Sequence, residues 1–172
     1  MSTAIIVGAT GLVGAQILSL LLADAKVERV VSLGRRKTGA AHEKLEEHAV
    51  DLGEPSSFRS LVKGDFLFSA LGTTLKKAGS KEAQRMVDVT YPLNVATVAA
   101  ENGVKGYGLV SAVGADAGSV MFYNRIKGEL ERDVQALGFE RVRIARPSIL
   151  TGERNESRPM EELGISALGA LR

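Results

Sequence analysis

The chain has 172 residues, 45% of them apolar and 24% charged, with a net charge of +2. That is enough for one domain with a buried core, and too little positive charge to argue for a nucleic-acid partner. There is no cysteine, which excludes disulfides, thiolate catalysis and cysteine-based metal sites.

From the N-terminus onward, apolar runs and helical patterns alternate, as a parallel sheet covered on both faces requires. Residues 4–7 (Ala-Ile-Ile-Val) read as a buried strand, and 12–23 carry apolar side chains at helical spacing. Gly8 and Gly11 interrupt the first apolar run, and no basic stretch precedes it, so neither a signal peptide nor a membrane span is expected there. The expectation is a cytoplasmic protein. Residues 27–33 read as a second strand, and 48–52 as the end of a third. The two histidines, His42 and His48, share one polar segment without metal-ligand spacing and read as solvated surface groups. Residues 66–70 are a fourth strand, followed by a polar loop over 72–80. A helical stretch covers about 81–102, with Pro92 expected to kink it or restart it after a break. A fifth strand over 107–111, a helix over 122–137 and a sixth strand over 141–145 complete the pattern. The expectation is a single Rossmann-like, doubly wound α/β domain over 1–172, in which about 151–172 form a partial substrate-side segment.

Gly8-Ala9-Thr10-Gly11-Leu12-Val13-Gly14 lies between the first strand and the first helix. Glycines there let the backbone turn sharply and approach an anion, and the helix amides and dipole then face it. The loop is expected to hold a pyrophosphate. The end of the second strand discriminates between nicotinamide cofactors, because a carboxylate there would bind the ribose hydroxyls of NAD. The sequence instead reads Gly34-Arg35-Arg36-Lys37. Arg35 and Arg36 suit a 2′-phosphate, which favours NADP(H) over NAD(H); the alternative is a solvated basic turn. Asp51 and Leu52 are expected to border the adenine, and Ala70, Leu71 and Gly72 to pack against the cofactor at the end of the fourth strand.

Tyr123 and Lys127 stand four residues apart on one predicted helix and face one side. An ammonium stabilises phenolate, so a tyrosine so placed can exchange a proton with a carbonyl or alcohol.

The motifs GATGLVG (8–14), GRRK (34–37), SAVGAD (111–116), YNRIKGELE (123–131), ARPSILTGER (145–154) and ESRP (156–159) occur in this order along nearly the whole chain. Together they resemble a short-chain dehydrogenase/reductase, specifically a small atypical member similar to the Tat-interacting-protein-like group. The resemblance implies NADP(H) binding, Tyr123 as general acid/base, and Lys127 holding the nicotinamide ribose while tuning Tyr123. It also implies that the backbone at Pro147, Ser148 and Ile149 touches the nicotinamide carboxamide. Such enzymes carry a serine pair at the end of the fifth strand, where this chain has Ser111-Ala112. Ser111 is the candidate for contacting the substrate carbonyl, and Asn94 for supporting a proton relay. Relatives of this kind continue several tens of residues past ESRP, so a truncated chain with an incomplete pocket is expected.

Two functions follow: an NADPH-dependent reductase of a small carbonyl substrate, or a non-catalytic NADP(H)-sensing protein on the same fold. An epimerase or dehydratase would need a large substrate domain, for which the chain offers no room. The expected partner is a small-molecule substrate, with no nucleic acid and no membrane, in a monomer or homodimer.

Overall fold

Four consecutive apolar residues, Ala4 to Val7, are each no more than 1% exposed. Burial on both faces is possible only for a central strand of a sheet covered on both sides. This is β1 (Ser2–Val7), in a computed structural model that describes residues 2–148. Ile149 and the expected substrate-side segment over 151–172 lie outside the described residues. With β2 (Val27–Gly34), β3 (Leu45–Ala49), β4 (Phe66–Ser69), β5 (Gly106–Val110) and β6 (Arg141–Ala145), β1 forms a six-stranded sheet ordered β3-β2-β1-β4-β5-β6. Every pairing is parallel. The fold is a Rossmann-like, doubly wound α/β domain, and the strand order reverses direction between β1 and β4.

The period of two along β1 sorts its side chains between two cores. Ala4 and Ile6 join Leu18 and Leu21 of α1 (Leu12–Ala23) on one face. Ile5 and Val7 join Val95 and Ala99 of α4 (Tyr91–Glu101) and Ile126, Leu130 and Val134 of α5 (Phe122–Gln135) on the other. In α5 these last three recur every fourth residue and are fully buried, with Lys127 and Glu131 beside them on the inward face.

Three expectations change. The third strand stops at Ala49, so Asp51 and Leu52 sit in the turn that follows it. The loop expected over 72–80 contains one turn of helix, α2 (Leu75–Ala78), because the Thr74 hydroxyl accepts the Lys77 amide at 3.2 Å and Gly79 ends it with φ +85°. The helix expected over 81–102 is divided into α3 (Lys81–Arg85), a π-helical turn (Met86–Thr90) and α4. Pro92 has no N–H to give an interior helix ladder, and the wider turn resets that ladder so that Pro92 falls in the first turn of α4. The π turn also carries Asp88 to complete burial. His42 is exposed as expected, whereas His48 is half-buried and its Nε2 pairs with Glu46 Oε1 at 2.6 Å.

Candidate functional site

The carboxyl ends of β1 and β4 flank the reversal of strand order, where a doubly wound sheet leaves a crevice. A cleft of about 700 Å³ opens there, with Gly8, Thr10 and Gly11 at its floor, Arg35 and Arg36 on one side, and Leu52, Ala70, Leu71 and Gly72 along the wall. Gly8 has φ +85°, and a Cβ on it would stand 2.6 Å from the Ala70 carbonyl carbon. A Cβ on buried Gly14 would run into the Gly8 carbonyl oxygen. The loop and the first turn of α1 are thus packed backbone on backbone, and the Gly11 amide donates to Gly8 O at 3.0 Å.

Helix α1 begins at this cleft without the usual devices. Gly11 is its N-cap, no side chain caps it, and its first turn contains no acidic residue. Its leading amides and the positive end of its dipole are therefore suited to an anion. Arg35 and Arg36 are exposed and carry no hydrogen bond or ion pair to any described residue. Among the described residues, the lining contains these two arginines and Lys77, and no carboxylate.

Not every expected residue reaches the cleft. Leu12 and Val13 are half-buried in the first turn of α1, outside the lining. Leu52 lines it, but the exposed Asp51 turns back so that its Oδ1 accepts the Gly53 amide at 2.8 Å. Pro147 is described, and its carbonyl accepts the Val113 amide at 3.0 Å; Ser148 is exposed. Asn94 donates from Nδ2 to Leu52 O at 3.0 Å, a contact that holds the turn after β3. Thr73, next to the expected Gly72, lines the cleft too, as do Lys77, Met86 and Tyr91, which sequence reasoning misses. They come from the segment after β4 and carry no local motif; the break at Pro92 is the one signal that this segment folds irregularly.

Tyr123 and Lys127 lie one turn apart on α5, the first half-buried and the second 2% exposed. Neither is in the cleft lining. Lys127 approaches the cleft from behind: its Nζ is 3.5 Å from Asp88 Oδ1, and Asp88 Oδ2 accepts the amide of cleft-lining Thr73 at 3.0 Å. Ser111 points elsewhere. Its side chain is buried and its hydroxyl lies beside Glu131, the residue one turn beyond Lys127. Arg146 closes this side with two hydrogen bonds to Glu131, one of them Nε to Oε1 at 3.0 Å.

Burial alone would push the Glu131 carboxyl up. Two hydrogen bonds from Arg146, the nearby Ser111 hydroxyl and the charges of Arg146 and Lys127 outweigh it and hold the group below its ordinary 4.5. A depressed carboxylate stabilises the fold in full above its unfolded value and loses that contribution as pH falls through the folded one. Melting temperatures followed from about pH 6 to about pH 3 should show wild type above Glu131→Gln at the start and the gap closing in acid. A constant gap would show that the charge of Glu131 carries no stability.

A family model described as "NAD dependent epimerase/dehydratase family" matches residues 4–127. The Emericella nidulans protein named "Protein fmp52, mitochondrial" is 40% identical over 178 aligned residues, which cover 99% of this chain and 76% of that protein. "Protein FMP52, mitochondrial" of Candida albicans is 39% identical over 162 residues, covering 91% and 70%. These names overturn the cytoplasmic expectation: curated relatives at about 40% identity are called mitochondrial. Among solved structures, the Bordetella bronchiseptica enzyme WbmH in complex with NAD+ matches with a TM-score of 0.76 at 18% identity, covering 100% of this chain and 64% of that one. UDP-glucose 4-epimerase with UDP-glucose from Thermotoga maritima matches with a TM-score of 0.74 at 12% identity, covering 90% and 58%. At such identities the likeness is one of fold. The chain spans 58% and 64% of the lengths of these two solved proteins.

Proposed function

The chain belongs to the NAD-dependent epimerase/dehydratase family, and we propose that within it this protein is an NADP(H)-dependent oxidoreductase that reduces a carbonyl or related small substrate. The observation that carries this reading is the charge of the cleft: its described lining residues include two arginines and a lysine, and no carboxylate. A polyanionic dinucleotide fits such a cleft, and the uncapped start of α1 with the Gly8–Gly14 backbone cradle fits its pyrophosphate. Arg35 and Arg36 stand after β2, where a ribose-binding carboxylate would serve NAD, and would hold a 2′-phosphate. The finer resemblance to the Tat-interacting-protein-like group agrees with this preference. The named epimerase shares only the fold at this level of identity, so its reaction is not carried over.

When bound, NADPH supplies a hydride. Tyr123 gives its phenolic proton to the carbonyl oxygen that gains charge, and takes one back in the reverse direction. Lys127, one turn away, stabilises the phenolate that remains and holds the nicotinamide ribose. The balance is one hydride to carbon and one proton to oxygen, giving an alcohol.

A second reading, an NADP(H)-sensing protein without turnover, is favoured by one observation. Ala112 occupies the second serine position, and the Ser111 hydroxyl is buried beside Glu131 rather than in the cleft.

The cofactor preference is tested by titrating NADPH and NADH into wild type and an Arg35→Ala/Arg36→Ala variant. Two charge-assisted contacts to a phosphate correspond to a loss of about 100-fold or more for NADPH. For NADH the expected change is under about 3-fold. Equal loss for both cofactors, or none, removes the 2′-phosphate assignment.

A further inference from the structure

We propose that Asp88 is a positioning residue that holds the Lys127 ammonium at the back of the cleft and ties it to the wall against which the cofactor lies. The proposal rests on the reading of Lys127 as the group that meets the nicotinamide ribose.

Asp88 and Lys127 are 0% and 2% exposed, on different elements, with Nζ 3.5 Å from Oδ1. The second carboxylate oxygen accepts the Thr73 amide at 3.0 Å, and the Thr73 carbonyl accepts Gln84 Nε2 at 3.3 Å. Next to Thr73, Gly72 is so close that a Cβ on it would stand 3.4 Å from Asp88 Oδ1. One buried carboxylate therefore joins the loop after β4, which lines the cleft, to the helix that carries Tyr123. The π turn makes this possible by turning Asp88 inward from a segment that would otherwise be regular helix.

An ammonium removed from water keeps its proton only beside compensating charge. Among the described residues, the charged and titratable groups near Lys127 include Asp88 from the π turn, Glu131 and Tyr123 from its own helix, and Arg146 behind Glu131. Glu131 is engaged by both nitrogens of the Arg146 fork, so its charge is largely answered already. Asp88 instead meets Lys127 directly, as a buried carboxylate paired with a buried ammonium. It is the counter-ion that holds the Lys127 side chain behind the Thr73 wall of the cleft. Asn94, on the following helix, does not share in this; it is bonded to Leu52.

Asp88→Asn is the direct test, because the amide oxygen can still accept the Thr73 amide while the charge is gone. The readout is the pH titration of Lys127 by lysine-resolved NMR on the full chain, with Lys127→Met to assign the resonance. The expected result is a Lys127 titration at least about one pH unit lower in Asp88→Asn. NADPH affinity should also fall, most strongly toward high pH. An unchanged Lys127 titration overturns the proposal. If Asp88→Asn does not fold, the Asp88→Asn/Lys127→Met double variant decides: recovery of a cooperative melt supports a charge pair, and continued failure overturns it. Failure of wild type to bind NADPH would sink the proposed function, while the Lys127 titration would still report on the charge pair by itself.

Discussion

A Gly14→Ala variant is expected to lose NADPH binding by about 100-fold or more while remaining folded with a lowered melting temperature. The added Cβ meets the Gly8 carbonyl oxygen and carbon and the Ala9 Cα, all of them backbone. No rotamer change relieves such a contact, so either α1 moves away from the sheet or the Gly8–Gly11 turn opens. Overpacking of this kind costs about 1–3 kcal/mol. Helix α1 has Leu18 and Leu21 seated in the core against Ala4 and Ile6, so it resists moving and the loop yields instead. A displaced loop aims its amides away from the phosphates, and preorganised contacts lose their worth when moved by about 1 Å. Isothermal titration with NADPH and a thermal melt of the same sample separate the two effects. Unchanged affinity in a destabilised but folded variant would remove the loop from the binding site.

Tyr123→Phe is expected to slow turnover by orders of magnitude and spare the cofactor. The change removes one hydroxyl from a half-buried side chain, so packing against the main core is kept. Loss of a positioned general acid costs about 10²–10⁴-fold in rate. NADPH affinity should stay within about 3-fold, since the proposed phosphate contacts are those of the glycine loop and the arginines. The measurement is a screen of small carbonyl compounds followed by NADPH absorbance, with wild type and variant side by side. Turnover that survives undiminished in the variant removes Tyr123 from proton transfer. Tight NADPH binding by wild type with no turnover on any carbonyl supports the sensing protein.

The parts of this molecule that are legible in the sequence are those set by neighbours in the chain. Residues 4–7 form a strand because four apolar residues in a row suit burial on both faces, and Leu12–Ala23 is a helix because its apolar residues recur at helical spacing. The glycine loop and Arg35-Arg36 follow directly from where β1 and β2 end, so their place at the cleft is readable too. The Tyr123–Lys127 pair is likewise a one-turn relation within α5.

What the sequence hides is set by contacts through space. Chain position puts Ser111 at the substrate, yet its buried hydroxyl lies beside Glu131 and outside the cleft lining. Resemblance also matches Asn94 to a relay; in the structure its amide bonds Leu52 O, and Asp88 of the π turn stands beside Lys127. Asp51 stands outside the cleft lining, since the strand expected to carry it ends two residues earlier, at Ala49, and its carboxylate accepts the Gly53 amide.

By itself, then, the sequence determined the alternating strands and helices, the tight glycine turn, the basic end of β2 and the Tyr123–Lys127 spacing, because each depends on backbone preference and side-chain period over a few residues. Only the tertiary structure decided which polar groups meet. In a buried interior each charge must find its partner across elements, and that partner is chosen by how helices pack on the sheet. Lys127 finds Asp88 there, and Glu131 finds Arg146.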